Sequence, residues 1–89
     1  MALAFLVDFP GATQAQFAQV DQKLGRQAPP GLLYHVEGPI EGGWRVVDVW
    51  ESQEAVDLFY HERLGQVLLE AAVAIPQPQF WPAHRIIKP

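Results

Sequence analysis

Trp44-Arg45-Val46-Val47-Asp48-Val49-Trp50-Glu51-Ser52-Gln53-Glu54-Ala55 passes from a strand to a helix. Alternation places Trp44, Val46, Asp48 and Trp50 on one face and Arg45, Val47, Val49 and Glu51 on the other. Both faces carry large apolar residues, so this strand is expected to be covered on two sides. Ser52 then fits an N-cap, and Gln53 and Glu54 suit the positive end of a helix dipole.

The preceding strand is Leu32 to Glu37, joined through the turn-rich Gly38–Gly43 link. The helix after Ser52 carries Ala55, Leu58 and Phe59, then Leu64, Leu68, Ala71 and Ala72, as its apolar stripe. Gly65 interrupts it, predicting a kink or two consecutive helices. At the N-terminal side, Ala2 to Phe9 is a first strand, also apolar on both faces, ended by Pro10-Gly11. Thr13 and Gln16 form a capping box for a helix with Phe17, Val20 and Leu24 inward, ended at Gly25. Pro76 and Pro78 stop the second helix, and Gln79 to Ile87 is expected as a last strand, confined to an edge by Pro82.

The order is β-α-β-β-α-β over one domain, residues 1–89: an α+β, ferredoxin-like fold of four antiparallel strands with both helices on one face. The helices cover one sheet face, and the apolar second face calls for another sheet. A homodimer, two sheets face to face, is the expectation. It also suits a chain of this size, which buries only roughly 60–65% of its unfolded surface and, with no Cys, has no disulfide.

Composition excludes several classes. Net charge is −4, and the six Lys and Arg form no basic run, so a nucleic-acid partner is not expected. Met1 to Val7, the longest apolar stretch, is far short of the ~20 residues that span a bilayer, and it lacks a basic n-region and a cleavage site. A cytoplasmic protein with no membrane association is the expectation.

Val49-Trp50-Glu51-Ser52-Gln53-Glu54-Ala55 resembles the dimeric α/β-barrel superfamily, in particular its antibiotic-biosynthesis-monooxygenase-like branch, where a strand ends in Trp-Glu-Ser before a helix opening with Glu-Ala. The resemblance extends over the whole chain in element order and length. It implies two sheets packed as a barrel, with a pocket in each subunit between sheet and helices. It further implies activities ranging from haem breakdown to cofactor-free oxygenation of quinol-like compounds. The positions that haem-degrading members fill with Asn, Trp and His hold Ala4, Phe59 and Leu69 here, so that chemistry is disfavoured. Quinol oxygenases ask less of the protein, because a deprotonated electron-rich substrate itself reduces oxygen.

Without Cys or any close His or carboxylate spacing, no nucleophile or metal motif is present, and no cofactor is called for. Asp48, His61 and His84 are the candidate acid/base residues. His35, Trp50 and Phe59 are the candidate ligand-binding residues, with Tyr60 extending an aromatic wall. Each has a plainer alternative: His61 as a surface residue of a polar stretch, His84 as an edge-strand histidine touching water, and His35 on the sheet surface rather than in the pocket. Trp50 and Phe59 are equally core residues by pattern, and Trp44 and Trp81 fit a dimer interface. Asp8 and Asp48 are charges within apolar strands. They either couple to each other, raising one pKa, or pair with Arg45 or Arg85, or sit at a strand end exposed to water. The expected function is binding of a small aromatic ligand by a dimer; a cofactor-independent monooxygenase acting on a quinol-like aromatic is the alternative.

Overall fold

The computed structural model describes residues 2–89. Its elements are β1 (Leu3–Pro10), α1 (Gln14–Leu24), β2 (Leu32–Ile40), β3 (Gly43–Trp50), α2 (Gln53–Phe59), a π-helical turn (Tyr60–Leu64), α3 (Gly65–Glu70) and β4 (Gln79–Pro82). The strands form one antiparallel sheet in the order β2-β3-β1-β4. Among the described residues no helix is long and apolar enough to cross a membrane.

The helix starts follow from their caps. Thr13 accepts from the Gln16 amide at 3.1 Å while Gln16 Oε1 accepts from the Thr13 amide at 2.9 Å. The Gln16 amide nitrogen also reaches the Ala71 and Ala72 carbonyls, at 3.4 and 3.3 Å, so one side chain ties the start of α1 to the end of α3. Ser52 caps α2 through the Ala55 amide at 3.2 Å. The interruption expected at Gly65 is a π turn closing on it, with the Gly65 amide bonded to the Tyr60 carbonyl. A Cβ on Gly65 would stand 3.2 Å from that carbonyl oxygen and 3.4 Å from the Tyr60 ring, which favours glycine there.

α3 ends in a Schellman motif: the Val73 amide bonds the Leu68 carbonyl and the Ala72 amide the Leu69 carbonyl. Ala72 carries the motif's positive φ, at 60°, where a side chain is unfavourable by about 1–2 kcal/mol. Ala72→Gly is therefore expected to raise stability by about 0.5–1 kcal/mol after allowing for glycine's extra unfolded-state freedom. Urea unfolding checks this; a lower midpoint in the variant would show that the site bears no strain.

Phe5, Val7 and Phe9 of β1 and Trp44 and Val46 of β3 face the helices and join Phe17, Val20, Val67 and Leu68 in the core. Phe17 stacks on Trp44 with ring centroids 5.5 Å apart and meets Phe9 edge-on at 5.0 Å. Trp44 thus belongs to the core and not to the open sheet face, which corrects its expected place in a dimer interface. Trp81 does lie on the open face and is 44% exposed. There the register aligns Trp81, Ala4, Val49 and Tyr34 in one row, and Leu6, Val47 and Val36 in the next.

Two strand boundaries differ from expectation. The ladder of β2 and β3 runs through Pro39 and Ile40, leaving only Glu41 and Gly42 in the turn. Because β2 is an edge strand, the missing N–H of Pro39 takes no bond from the sheet. Gly43 is required by the close approach of β1, since a Cβ there would collide with the Phe9 carbonyl. β4 ends at Pro82 instead of running to Ile87. The Ala83 amide still bonds the Ala2 carbonyl at 3.0 Å, and the chain then leaves the sheet, bringing Lys88 Nζ to 5.9 Å from the Tyr34 ring centroid.

Candidate functional site

Strand pairing places His35 directly opposite Asp48, and Glu37 two residues along on the same face. His35 Nδ1 lies 2.6 Å from Asp48 Oδ1, and His35 Nε2 lies 3.1 Å from Glu37 Oε1. The second oxygen of each carboxylate accepts from an indole: Asp48 from Trp50 Nε1 at 3.1 Å, and Glu37 from Trp44 Nε1 at 2.8 Å. The result is a chain of hydrogen bonds, Trp50–Asp48–His35–Glu37–Trp44, across the helix-facing side of β2 and β3. Asp48 is buried, yet both oxygens have partners, as a charge in that setting requires.

Held between two carboxylates, with Asp48 the stronger influence, His35 is raised from its ordinary 6.5 to about 10. At neutral pH it is an imidazolium donating from both nitrogens. Burial pushes the Glu37 carboxyl up, but hydrogen bonds from His35, Asp21 and Trp44 together hold it below the usual carboxylate range. Asp21, on α1, moves the other way. Partial burial, and then the neighbouring Glu37 carboxylate, push it from 3.8 to about 6. Protonated, Asp21 donates to Glu37; ionised, it repels it.

A folded pKa above the ordinary value means that ionising Asp21 disfavours the folded state. The penalty is absent below pH 3.8 and complete above about pH 6. Asp21→Asn is therefore expected to stabilise the protein by about 1 kcal/mol at pH 7.5, allowing for solvent screening of an exposed residue, and not at pH 3.5. Thermal melts at the two pH values test the sign, which an equal shift at both would contradict.

The pair opens on a cavity of about 430 Å³ between the sheet, α1 and the loop that follows α1. Its walls include Phe5, Phe9, Phe17, Trp50 and Phe59, with Asp21, His35, Glu37 and Asp48 among its polar groups. Trp50 and Phe59 meet with ring centroids 5.5 Å apart. A second cavity, also of about 430 Å³, lies towards α2 and the segment Ile75 to Phe80, and shares Asp48, Trp50 and Phe59 with the first. Among the described residues no group of three His, Cys, Asp or Glu could hold a metal ion.

Of the residues singled out from sequence, Asp48, His35, Trp50 and Phe59 come together at this cavity. His61 and His84 do not. His61 is exposed on the π turn, edge-on to the Tyr60 ring at 5.7 Å, and His84 is exposed beyond the end of β4. Neither lines either cavity. Asp8 and Asp48 lie on opposite faces of the sheet, so their coupling is ruled out. Asp8 instead accepts from Arg45 Nε and Nη2, at 2.6 and 2.9 Å.

Two site residues escaped the sequence reading, Glu37 and Asp21. Each had a readable signal: Glu37 shares a strand face with His35 two residues away, and Asp21 sits four residues after Phe17, at the border of the α1 stripe.

No protein-family model matches the chain, and neither does any curated protein sequence. The fold does have counterparts: it is the ferredoxin-like α+β fold of the antibiotic-biosynthesis-monooxygenase-like proteins. SnoaB, a cofactor-independent oxygenase from Streptomyces nogalater, superposes with a TM-score of 0.69 at 14% identity, covering 97% of this chain and 96% of its own. A Chloroflexus aurantiacus protein provisionally classed as an antibiotic biosynthesis monooxygenase gives 0.72 at 14% identity, covering 99% and 98%. One from Deinococcus radiodurans, classed in the same way, gives 0.63 at 14% identity, covering 99% and 97%. At such identities the likeness is one of fold.

Proposed function

We propose that this chain binds a small aromatic ligand in the cavity between the sheet and α1, and works as a homodimer in the cytoplasm. The observation that carries this reading is the His35–Asp48 pair set into an apolar wall that includes the rings of Phe5, Phe9, Phe17, Trp50 and Phe59. Phe59, packed on the buried Trp50, offers a face for a flat molecule, and the fixed imidazolium favours the ionised form of an aromatic hydroxyl beside it. Asp48 acts through His35, holding its orientation and charge.

Asp21 supports a second, catalytic reading: a cofactor-independent monooxygenase acting on a quinol-like aromatic. A carboxyl that titrates near 6 accepts a phenolic proton at neutral pH, and His35 stabilises the phenolate. The phenolate then reduces oxygen. A phenol becomes a quinone, one oxygen atom entering the ring and the other leaving as water, with all four electrons drawn from the substrate. That SnoaB, of the same fold, is a cofactor-independent oxygenase agrees with this reading.

A thermal-shift series with 1-naphthol, flavin and haem tests the first reading. At 100 times its dissociation constant a ligand adds about 2.7 kcal/mol, a rise of roughly 10 °C for a domain of this size. A rise with 1-naphthol that is lost in Phe59→Ala is expected; none with any aromatic would refute the binding reading. Oxygen uptake matched one to one by 1,4-naphthoquinone would establish the catalytic reading, and binding without uptake would exclude it for that substrate.

A further inference from the structure

The aromatic cavity is also lined by two arginines, Arg26 and Arg63, that the network of His35 does not engage. They belong to one end of it. Arg63 Nη2 donates to the Lys23 carbonyl at the close of α1, at 2.9 Å, and Arg26 follows Gly25, the cap of that helix. The π turn contributes to this placement. By closing on an i+5 bond it fits one more residue into the turn than an α-helix does, and the consecutive residues Arg63 and Leu64 both line the cavity.

Among the described residues neither charge is paired. The ion pairs among the described residues are Lys23–Glu70, His35–Glu37, His35–Asp48 and Arg45–Asp8, and neither Arg26 nor Arg63 takes part in one. The ionisable lining therefore divides unequally. His35 is matched by Asp48 and Glu37, and the indoles of Trp50 and Trp44 occupy the remaining oxygens of those carboxylates. Asp21 is the one other carboxyl of the lining, and it forms no ion pair with either arginine. Among the described residues Arg26 and Arg63 are thus the two cations of the lining without a carboxylate partner, and an anion bound between them would supply one.

We propose that Arg26 and Arg63 bind the carboxylate of an aromatic acid whose ring lies against Phe59. This rests on the cavity being an aromatic-ligand site and names the class of ligand it takes. A guanidinium holds a carboxylate through two parallel N–H bonds, which a neutral amide or ester cannot match. Selection is therefore for charge at one end and a flat apolar body at the other.

Calorimetry with 2-naphthoate and its neutral analogue 2-naphthamide decides the matter. The wild-type protein is expected to bind the acid at least about tenfold more tightly, a preference that shrinks as salt is raised. In the R26Q/R63Q double variant the two compounds are expected to bind alike, with the amide unaffected. Equal binding in the wild type, or a preference for the acid that survives in the folded double variant, overturns the proposal and leaves the aromatic cavity standing. Binding of neither compound overturns both. Should the double variant fail to fold, the contrast of acid and amide in the wild type decides, with R26Q as the second variant.

Discussion

His35→Ala is expected to lower stability by about 2 kcal/mol at pH 6 and by far less at pH 10. The substitution takes one of two donors from the buried Asp48 carboxylate, and one from Glu37. Trp50 still serves Asp48, and the His35 side chain is 40% exposed, so water replaces part of what is lost. That keeps the cost below the 3–5 kcal/mol of a fully buried broken pair. For a domain of this size the drop in melting temperature is roughly 10 °C. The pH dependence identifies the cause. His35 has a folded value of about 10 against an ordinary 6.5, so its stabilisation is complete below pH 6.5 and is lost as pH rises through about 10. The gap between wild type and variant must therefore narrow over that window. A gap constant from pH 6 to pH 10 would mean that the side chain contributes by packing and not as an imidazolium. His35→Gln, which keeps one donor, is expected to recover part of the loss at all pH values.

That pair also shows what could not be read from the sequence. Helix starts, core faces and strand order were legible because each rests on local chemistry: the capping box at Thr13, the cap at Ser52, and the alternation of Trp44, Val46, Asp48 and Trp50. The partner of Asp48 rests on register, which the hairpin turn decides. A link of six residues, Gly38 to Gly43, would set Glu37 against Trp44 and therefore His35 against Val46. The actual turn of Glu41 and Gly42 shifts the ladder and brings His35 to Asp48. Pro39 hid this, because a proline inside a ladder argues for a loop until the strand is known to be an edge. His61 and His84 illustrate another limit. Their residue type suggests acid/base work, but only packing tells whether a helix or tail position meets the cavity, and theirs face water. Arg63 is the converse, since the π turn that accompanies its place in the lining has no local signature beyond Gly65.

Val47→Glu is expected to convert a dimer into a monomer. The open face of the sheet carries Leu6, Val47 and Val36 in one cross-strand row and Trp81, Ala4, Val49 and Tyr34 in the next. Val36 is 66% exposed. A contiguous apolar sheet face of this kind is unusual on a lone domain, and a second copy of the same face would cover it with matching twist. The Asp8–Arg45 pair at its margin suits the polar rim of such an interface. Val47 stands in the central pair of strands, β1 and β3, so a glutamate there meets its symmetry mate near the middle of the contact. Burying two like charges against apolar neighbours costs several kcal/mol, enough to move dissociation by two orders of magnitude or more. The helix-facing core is untouched, because the side chain of position 47 points away from it; the aromatic circular dichroism of Trp44 and Trp50 should persist. Sedimentation at micromolar concentration should give twice the chain mass for the wild type and the chain mass for the variant. A wild-type monomer would reject the dimer outright, and a dimeric variant would place the interface on another surface.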